Sequence, residues 1–181
     1  MPTVPEQHDP ARAANVVGAL ALVLTDRMTD AVEGAADQAA TGAVALSALH
    51  HFLREPTIDL LRQVLGLTHS GTVRLVDRLE GGGLVRRGPG QDGRTTTVRL
   101  TAAGRRAAAR VTGSRGGLLH DALETLTPAE QEQLADLSGR VLVGLRRGSG
   151  GTRWTCRLCD TGACGRALGR CPVAGPEPPS F

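Results

Sequence analysis

The chain has 181 residues, 40% of them hydrophobic, and a formal net charge of +3. That is apolar material for one ordinary core plus an appendage, which excludes both a disordered chain and a large multidomain assembly. All 21 basic residues are arginine, a bias that a GC-rich genome explains without selection for guanidinium chemistry.

Residues 1–10, with three prolines, read as a flexible arm. From 11 to about 33, Val16, Leu20, Val23, Leu24 and Met28 recur at helical spacing and predict a long first helix. Its run VVGALALVLT (16–25) is too short to cross a bilayer and continues into Asp26 and Arg27 without a cleavage region. A cytoplasmic chain with no membrane partner is therefore expected. A second helix is expected over 41–53 (Val44, Leu46, Leu49, Phe52), ending before Pro56.

Thr57 can cap a short helix through Leu65, Gly66 permits a sharp turn, and Thr68 or Ser70 can cap the next helix, which ends in Gly81-Gly82-Gly83. Two short helices joined by a tight glycine turn make a helix-turn-helix. The stretches 84–87 and 94–100 are β-prone and separated by GPGQDG, so a hairpin follows as a wing. Thr101 can cap a helix running to about 126. Thr127-Pro128-Ala129-Glu130 then combines cap, proline at the first position and glutamate at the third. The last helix aligns Leu134, Leu137, Val141 and Leu145. The fold class expected is mainly α with a small β-hairpin wing: a winged helix-turn-helix with long terminal helices.

On a helical wheel, Thr72, Leu75, Val76 and Leu79 share the packing side of the second helix of the motif, while Ser70, Arg74, Asp77 and Arg78 share the other. A major groove admits such a helix, with Arg able to make two bonds to guanine and Ser or Thr able to reach bases or phosphates. Residues 54–110 hold eleven Arg against five acids, a surplus suited to phosphate neutralisation. The candidate DNA contacts are Thr68, His69, Ser70, Arg74 and Arg78, with Arg86 or Arg87 on the wing strand as phosphate contacts. Asp77 is expected to orient Arg74 or Arg78. His50 and His51 read as structural, since cations suit a helix C-terminus.

The segment DGRTTTVRLTAAG (92–104) resembles the wing signature of the multiple-antibiotic-resistance regulator (MarR) family, Asp-x-Arg, five residues, then Leu-Thr-x-x-Gly. LGLTHSGTVRLVDRLEGGGLVRR resembles the same family's recognition segment. The resemblance covers about 11–147, with a DNA-binding part at 54–104 and terminal helices at 11–33 and 105–147. It implies a homodimeric winged-helix transcription regulator, usually a repressor, on a pseudo-palindromic operator of double-stranded DNA. It also implies that Arg94 enters the minor groove with Asp92 directing it, and that a small apolar or phenolic effector binds between the dimerisation helices and the DNA-binding part.

The tail departs from that pattern. Residues 148–152 read as a linker, 153–172 as a cysteine-rich appendage and 173–181 as a disordered end. All four cysteines fall at Cys156, Cys159, Cys164 and Cys171. In a reducing cytosol such clustering points to metal or redox chemistry rather than disulfides. Four thiolates satisfy tetrahedral zinc, with Cys156-x2-Cys159 in the knuckle spacing. Cys171-Pro172 also resembles the cysteine-proline closing ferredoxin-type motifs, which leaves an iron–sulfur cluster open, and reactive or free thiols remain a third reading. Arg153, Arg157, Arg166 and Arg170 would offset the thiolate charge. A metal- or cluster-bearing redox protein with the helical body as dimer scaffold is the rival to a regulator. With no nucleophile elbow, phosphate loop or paired carboxylates in the sequence, an enzyme is not expected.

Overall fold

The computed structural model describes residues 9–90, 93–145 and 151–174, with side chains from 153 onward in the last segment. Helix α1 (Pro10–Ala36) begins at a true cap: the Asp9 carboxylate accepts from Ala11 N at 2.9 Å, and Pro10 needs no donor there. The expected flexible arm is thus corrected at its end, where Asp9 and Pro10 already belong to the helix. Residues 1–8 lie outside the described residues. Helix α2 (Ala40–His51) buries seven of its twelve residues, including Ala43, Leu46 and Leu49.

Helices α3 (Ile58–Leu65) and α4 (His69–Gly81) form the helix-turn-helix. Thr57 caps α3 and Thr68 caps α4, each hydroxyl accepting an N–H three residues on. Of the two candidate caps for α4, Thr68 is the one used. Between them Gly66 takes the left-handed conformation at φ +67°, where a side chain is strained.

Strands β1 (Val85–Pro89) and β2 (Thr96–Leu100) pair antiparallel, Val85 opposite Leu100 and Pro89 opposite Thr96. The hairpin therefore sits two residues later than predicted on one side and starts two residues later on the other. Gly88 and Pro89, read as turn residues, extend β1 because the other edge of this two-stranded sheet is open and needs no donor from Pro89.

Helix α5 (Ala102–Leu123) runs back along α1: the Arg110 guanidinium donates to Ala35 O at 2.9 Å and Ser114 Oγ donates to Ala31 O at 3.1 Å. The core lies where α1, α2 and α5 meet the motif and includes Val32, Leu46, Leu61, Val64, Leu79, Val98 and Val111. Helix α6 (Pro128–Gly144) starts in the expected capping box of Thr127 and Glu130, yet among its residues only Gly139 is buried. The expected stripe exists but faces outward, with Leu137, Val141 and Leu145 about half exposed or more. Val16, Leu20 and Val23 of α1 are exposed as well, and only the C-terminal part of that helix reaches the core.

The tail is folded back on the body. Gly151 and Thr152, expected as linker, open a short helix α7 (Gly151–Thr155), while 146–150 lie outside the described residues. A single 3-10 turn follows at Arg166–Leu168. Val173 and Ala174 are buried, which corrects the expectation of disorder from 173, because these apolar side chains line the seam between tail and body. The prolines beyond, at 175–181, lie outside the described residues. Among the described residues no helix is long and apolar enough to cross a membrane.

Candidate nucleic-acid interface and cysteine cavity

Helix α4 sorts its residues as its pattern demands. Thr72, Leu75, Val76 and Leu79 are buried against the core, leaving His69, Ser70, Arg74, Asp77 and Arg78 exposed on the outer face. Thr68 is exposed at the N-terminus, but its hydroxyl is committed to capping: it accepts from Gly71 N at 3.1 Å and lies 3.4 Å from Ser70 Oγ. The helix N-terminus, with its partial positive charge, is thus presented together with Ser70 and Arg74.

Asp77 does not orient Arg74 or Arg78, as expected from the sequence. It accepts from Arg87 Nη2 at 2.7 Å, and the other terminal nitrogen of Arg87 is bound by Glu80. Glu80 also accepts from Arg87 N at 2.9 Å. These bonds from Arg87, backbone first, hold the Glu80 carboxyl below its usual range. The reason is reach: Asp77 and Glu80 stand one turn apart on the α4 side that meets β1, where one guanidinium spans both. Arg87 thereby ties wing to recognition helix. Sequence reasoning missed this link, although two acids three apart on an otherwise basic element were a signal for it.

Arg86 is exposed on the opposite face of the hairpin, across from Arg99 and near Leu49 of α2 and Leu53 just beyond it. Arg99 in turn pairs with Glu55 at 2.7 Å. The structure therefore does not bring Arg86 together with the α4 residues. Arg94 is exposed in the wing turn; Asp92, expected to direct it, lies outside the described residues.

The wing signature acquires a physical reason. Thr101 Oγ1 donates to Gly83 O at 2.6 Å and accepts from Gly104 N at 3.0 Å, so one hydroxyl locks the start of α5 to the end of the motif. A Cβ at Gly104 would lie 1.9 Å from Leu84 O, so only glycine lets α5 cross the hairpin this closely.

All four cysteines line one cavity between the tail, α6 and Arg115 of α5. Cys156 and Cys159 flank one tight turn, Cys159 N donating to Cys156 O at 2.9 Å, while Cys164 Sγ donates to Thr161 O at 3.6 Å and Cys171 Sγ accepts from Ala174 N at 3.4 Å. Among the described residues no three His, Cys, Asp or Glu side chains converge closely enough to hold a metal ion as they stand. The first pair titrates unevenly: the hydrogen bond from Cys156 to Cys159 brings the Cys159 thiol down to about 6, against its burial and helped by Arg115, Arg157 and Arg166. Cys156 is raised by the same bond and by burial. Burial, then Cys171, raises Cys164. Arg166 is buried, and Arg170 lines the cavity, as the sequence suggested; Arg157, whose charge also acts on Cys159, lies over the Trp154 ring at 4.0 Å, and Arg153 is exposed on α7.

The tail is anchored to the motif. A Cβ at Gly66 would meet Trp154 Nε1 at 3.3 Å, so the indole rests on the turn between α3 and α4. Thr161 Oγ1 donates to His51 O at 3.3 Å, His51 lies 3.9 Å from Asp160, and the Arg166 guanidinium sits 5.8 Å from the centre of the Phe52 ring. His51 also bonds Thr112 at 2.8 Å, a structural role as expected, and burial lowers its pKa. At the far end, Pro172 lies against Gly139 of α6.

The family model described as MarR family matches residues 41–95, which run from α2 through the helix-turn-helix into the wing. Over these residues the chain is similar to the MarR family. The cysteine tail lies outside the matched residues. Several solved structures share the MarR fold with it. A MarR family protein from Bacillus stearothermophilus superposes at TM-score 0.67 with 23% identity, over 76% of this chain and 95% of the other. The RV1404 protein of Mycobacterium tuberculosis gives 0.65 and 23%, over 80% and 99%. Sco3205, a MarR family transcriptional regulator from Streptomyces coelicolor solved in complex with DNA, gives 0.61 and 23%, over 82% and 96%. No curated protein matches the sequence.

Proposed function

We propose that this chain is a transcription regulator of the MarR family, cytoplasmic and homodimeric, a repressor that binds a pseudo-palindromic operator through α4 and the wing. The observation that carries the reading is the outer face of α4, where Ser70, Arg74 and Arg78 are exposed beside the helix N-terminus while Leu75, Val76 and Leu79 are packed away. Arg74 is suited to a base edge in the major groove, His69 and Ser70 to bases or phosphates, and Arg94 to the minor groove. Arg86 is suited to phosphate only if DNA reaches the outer face of the hairpin. The solved Streptomyces relative in complex with DNA adds support by analogy of fold.

A second copy of the chain accounts for the uncovered apolar stripes on α1 and α6. Val16, Leu20 and Val23 on one helix and Leu137, Val141 and Leu145 on the other form faces that a lone chain leaves in water. A two-fold pair would bury both and set two copies of α4 about one turn of DNA apart. Release of the operator would follow from a small apolar effector near these helices or from a change at the cysteine tail, whichever favours one spacing of the two α4 helices.

The experiment is a mobility shift with DNA from upstream of the protein's own reading frame, at two salt concentrations. Binding that weakens steeply with salt and is lost in Arg74→Ala supports the reading. Absence of a shift for the folded dimer overturns it and returns the metal-bearing redox scaffold as the better account.

A further inference from the structure

We propose that Cys156, Cys159, Cys164 and Cys171 together hold one zinc ion, and that this ion staples the helix-turn-helix turn to α6. The four thiols open onto a single cavity, into which each can present its sulfur. Four sulfurs around one ion is the tetrahedral set zinc prefers. The Cys156-x2-Cys159 segment is wound in a tight turn, Cys159 N donating to Cys156 O at 2.9 Å. Binding draws the four thiols together and replaces their protons with the ion. Buried Arg166 stands beside the thiols, where its charge opposes the excess negative charge of four thiolates.

The consequence follows from what lies at each end of the cluster. Two residues before Cys156, Trp154 rests on Gly66; one residue after Cys171, Pro172 rests on Gly139 of α6. An ion joining Cys156 to Cys171 therefore joins the recognition motif to the helix whose apolar face is uncovered. With the ion removed, the tail between the two contacts is a 17-residue stretch whose described backbone bonds, such as Arg166 N to Thr161 O at 3.2 Å, are local, and which touches the body through Thr161 and His51. Metal occupancy then sets how firmly the turn is held.

The test uses the full chain purified without oxygen and is read without DNA, so its failure is separate from failure of the regulator reading. Elemental analysis should give about one zinc and no iron per chain. Cobalt(II) replacing zinc should give the intense thiolate-to-cobalt absorption of a tetrahedral sulfur site, and Cys164→Ser or Cys171→Ser should abolish it. Chelating the wild-type protein guards against variants that misfold: the Gly66 and Leu67 amides, both bonded to Arg62 O, should exchange faster by roughly tenfold on zinc removal. Iron with inorganic sulfide, or a metal-free native protein whose four thiols react freely, overturns the zinc site. Unchanged exchange at the turn overturns the staple.

Discussion

Replacing Gly104 by alanine places a methyl group 1.9 Å from Leu84 O and 2.9 Å from Leu84 C. A carbon cannot approach an oxygen so closely, and backbone is not a side chain that can swing aside, so α5 and the hairpin must part by about 1 Å or more. Parting them stretches the bond from Thr101 N to Leu84 O, now 3.0 Å, and disturbs the Thr101 cap on Gly104 N. Overpacking of this kind costs about 1–3 kcal/mol, and a weakened cap adds about 1 kcal/mol. Alanine returns about 0.5–1 kcal/mol of helix propensity. The balance is a loss of roughly 1–3 kcal/mol, or roughly 3–10 °C in Tm for a chain of this size. Gly113 in the same helix has nothing within 4 Å of an added Cβ, so Gly113→Ala should raise stability by about 0.5–1 kcal/mol. Thermal unfolding by circular dichroism, at one protein concentration because assembly shifts Tm, compares the two. If Gly104→Ala is neutral or stabilising, α5 does not cross the hairpin as closely as described, and the account of the wing signature fails.

Arg74→Ala should weaken operator binding by about 1–3 kcal/mol and relax base preference, measured by fluorescence anisotropy against operator variants. Val141→Asp should convert a dimer into monomer in sedimentation, because it sets a charge in the α6 face that the proposed partner covers; an unchanged mass would place the interface elsewhere. The Glu80 carboxyl is held below its usual range, so the contribution of the Arg87 link is present above the unfolded value and is lost as the pH falls through the folded one. Amides of β1 should lose protection in acid earlier than those of α2, and Glu80→Gln should remove that difference. Gly66→Ala meets both a left-handed backbone and Trp154, so it should destabilise by about 1–2 kcal/mol, whereas Trp154→Ala together with it should restore only the steric part in a double-mutant cycle.

Much of this architecture is written locally. Thr57, Thr68, Thr101 and Thr127 cap helices because each hydroxyl meets an N–H three residues on, and Gly66 turns because its own backbone permits it. Those bonds depend on neighbours in sequence, so order, caps and the two faces of α4 could be read from the residues alone. Strand limits were less legible, since Gly88 and Pro89 become strand only by lying opposite Thr97 and Thr96. The partner of Asp77 is ten residues away and comes within reach only when the wing folds beside α4.

The site at the tail divides in the same way. That four cysteines and several arginines occur together was plain in the chain, and so was the chemistry open to them. That Trp154 lies on Gly66, Thr161 on His51 and Pro172 on Gly139 was not, because those contacts join residues from 33 to 110 positions apart and carry no periodicity or motif of their own. Hydrogen-bond caps and turns are decided within a few residues, where conformational choices are few. Packing of a tail on a body is decided by shape and apolar burial between surfaces that exist only after both have folded.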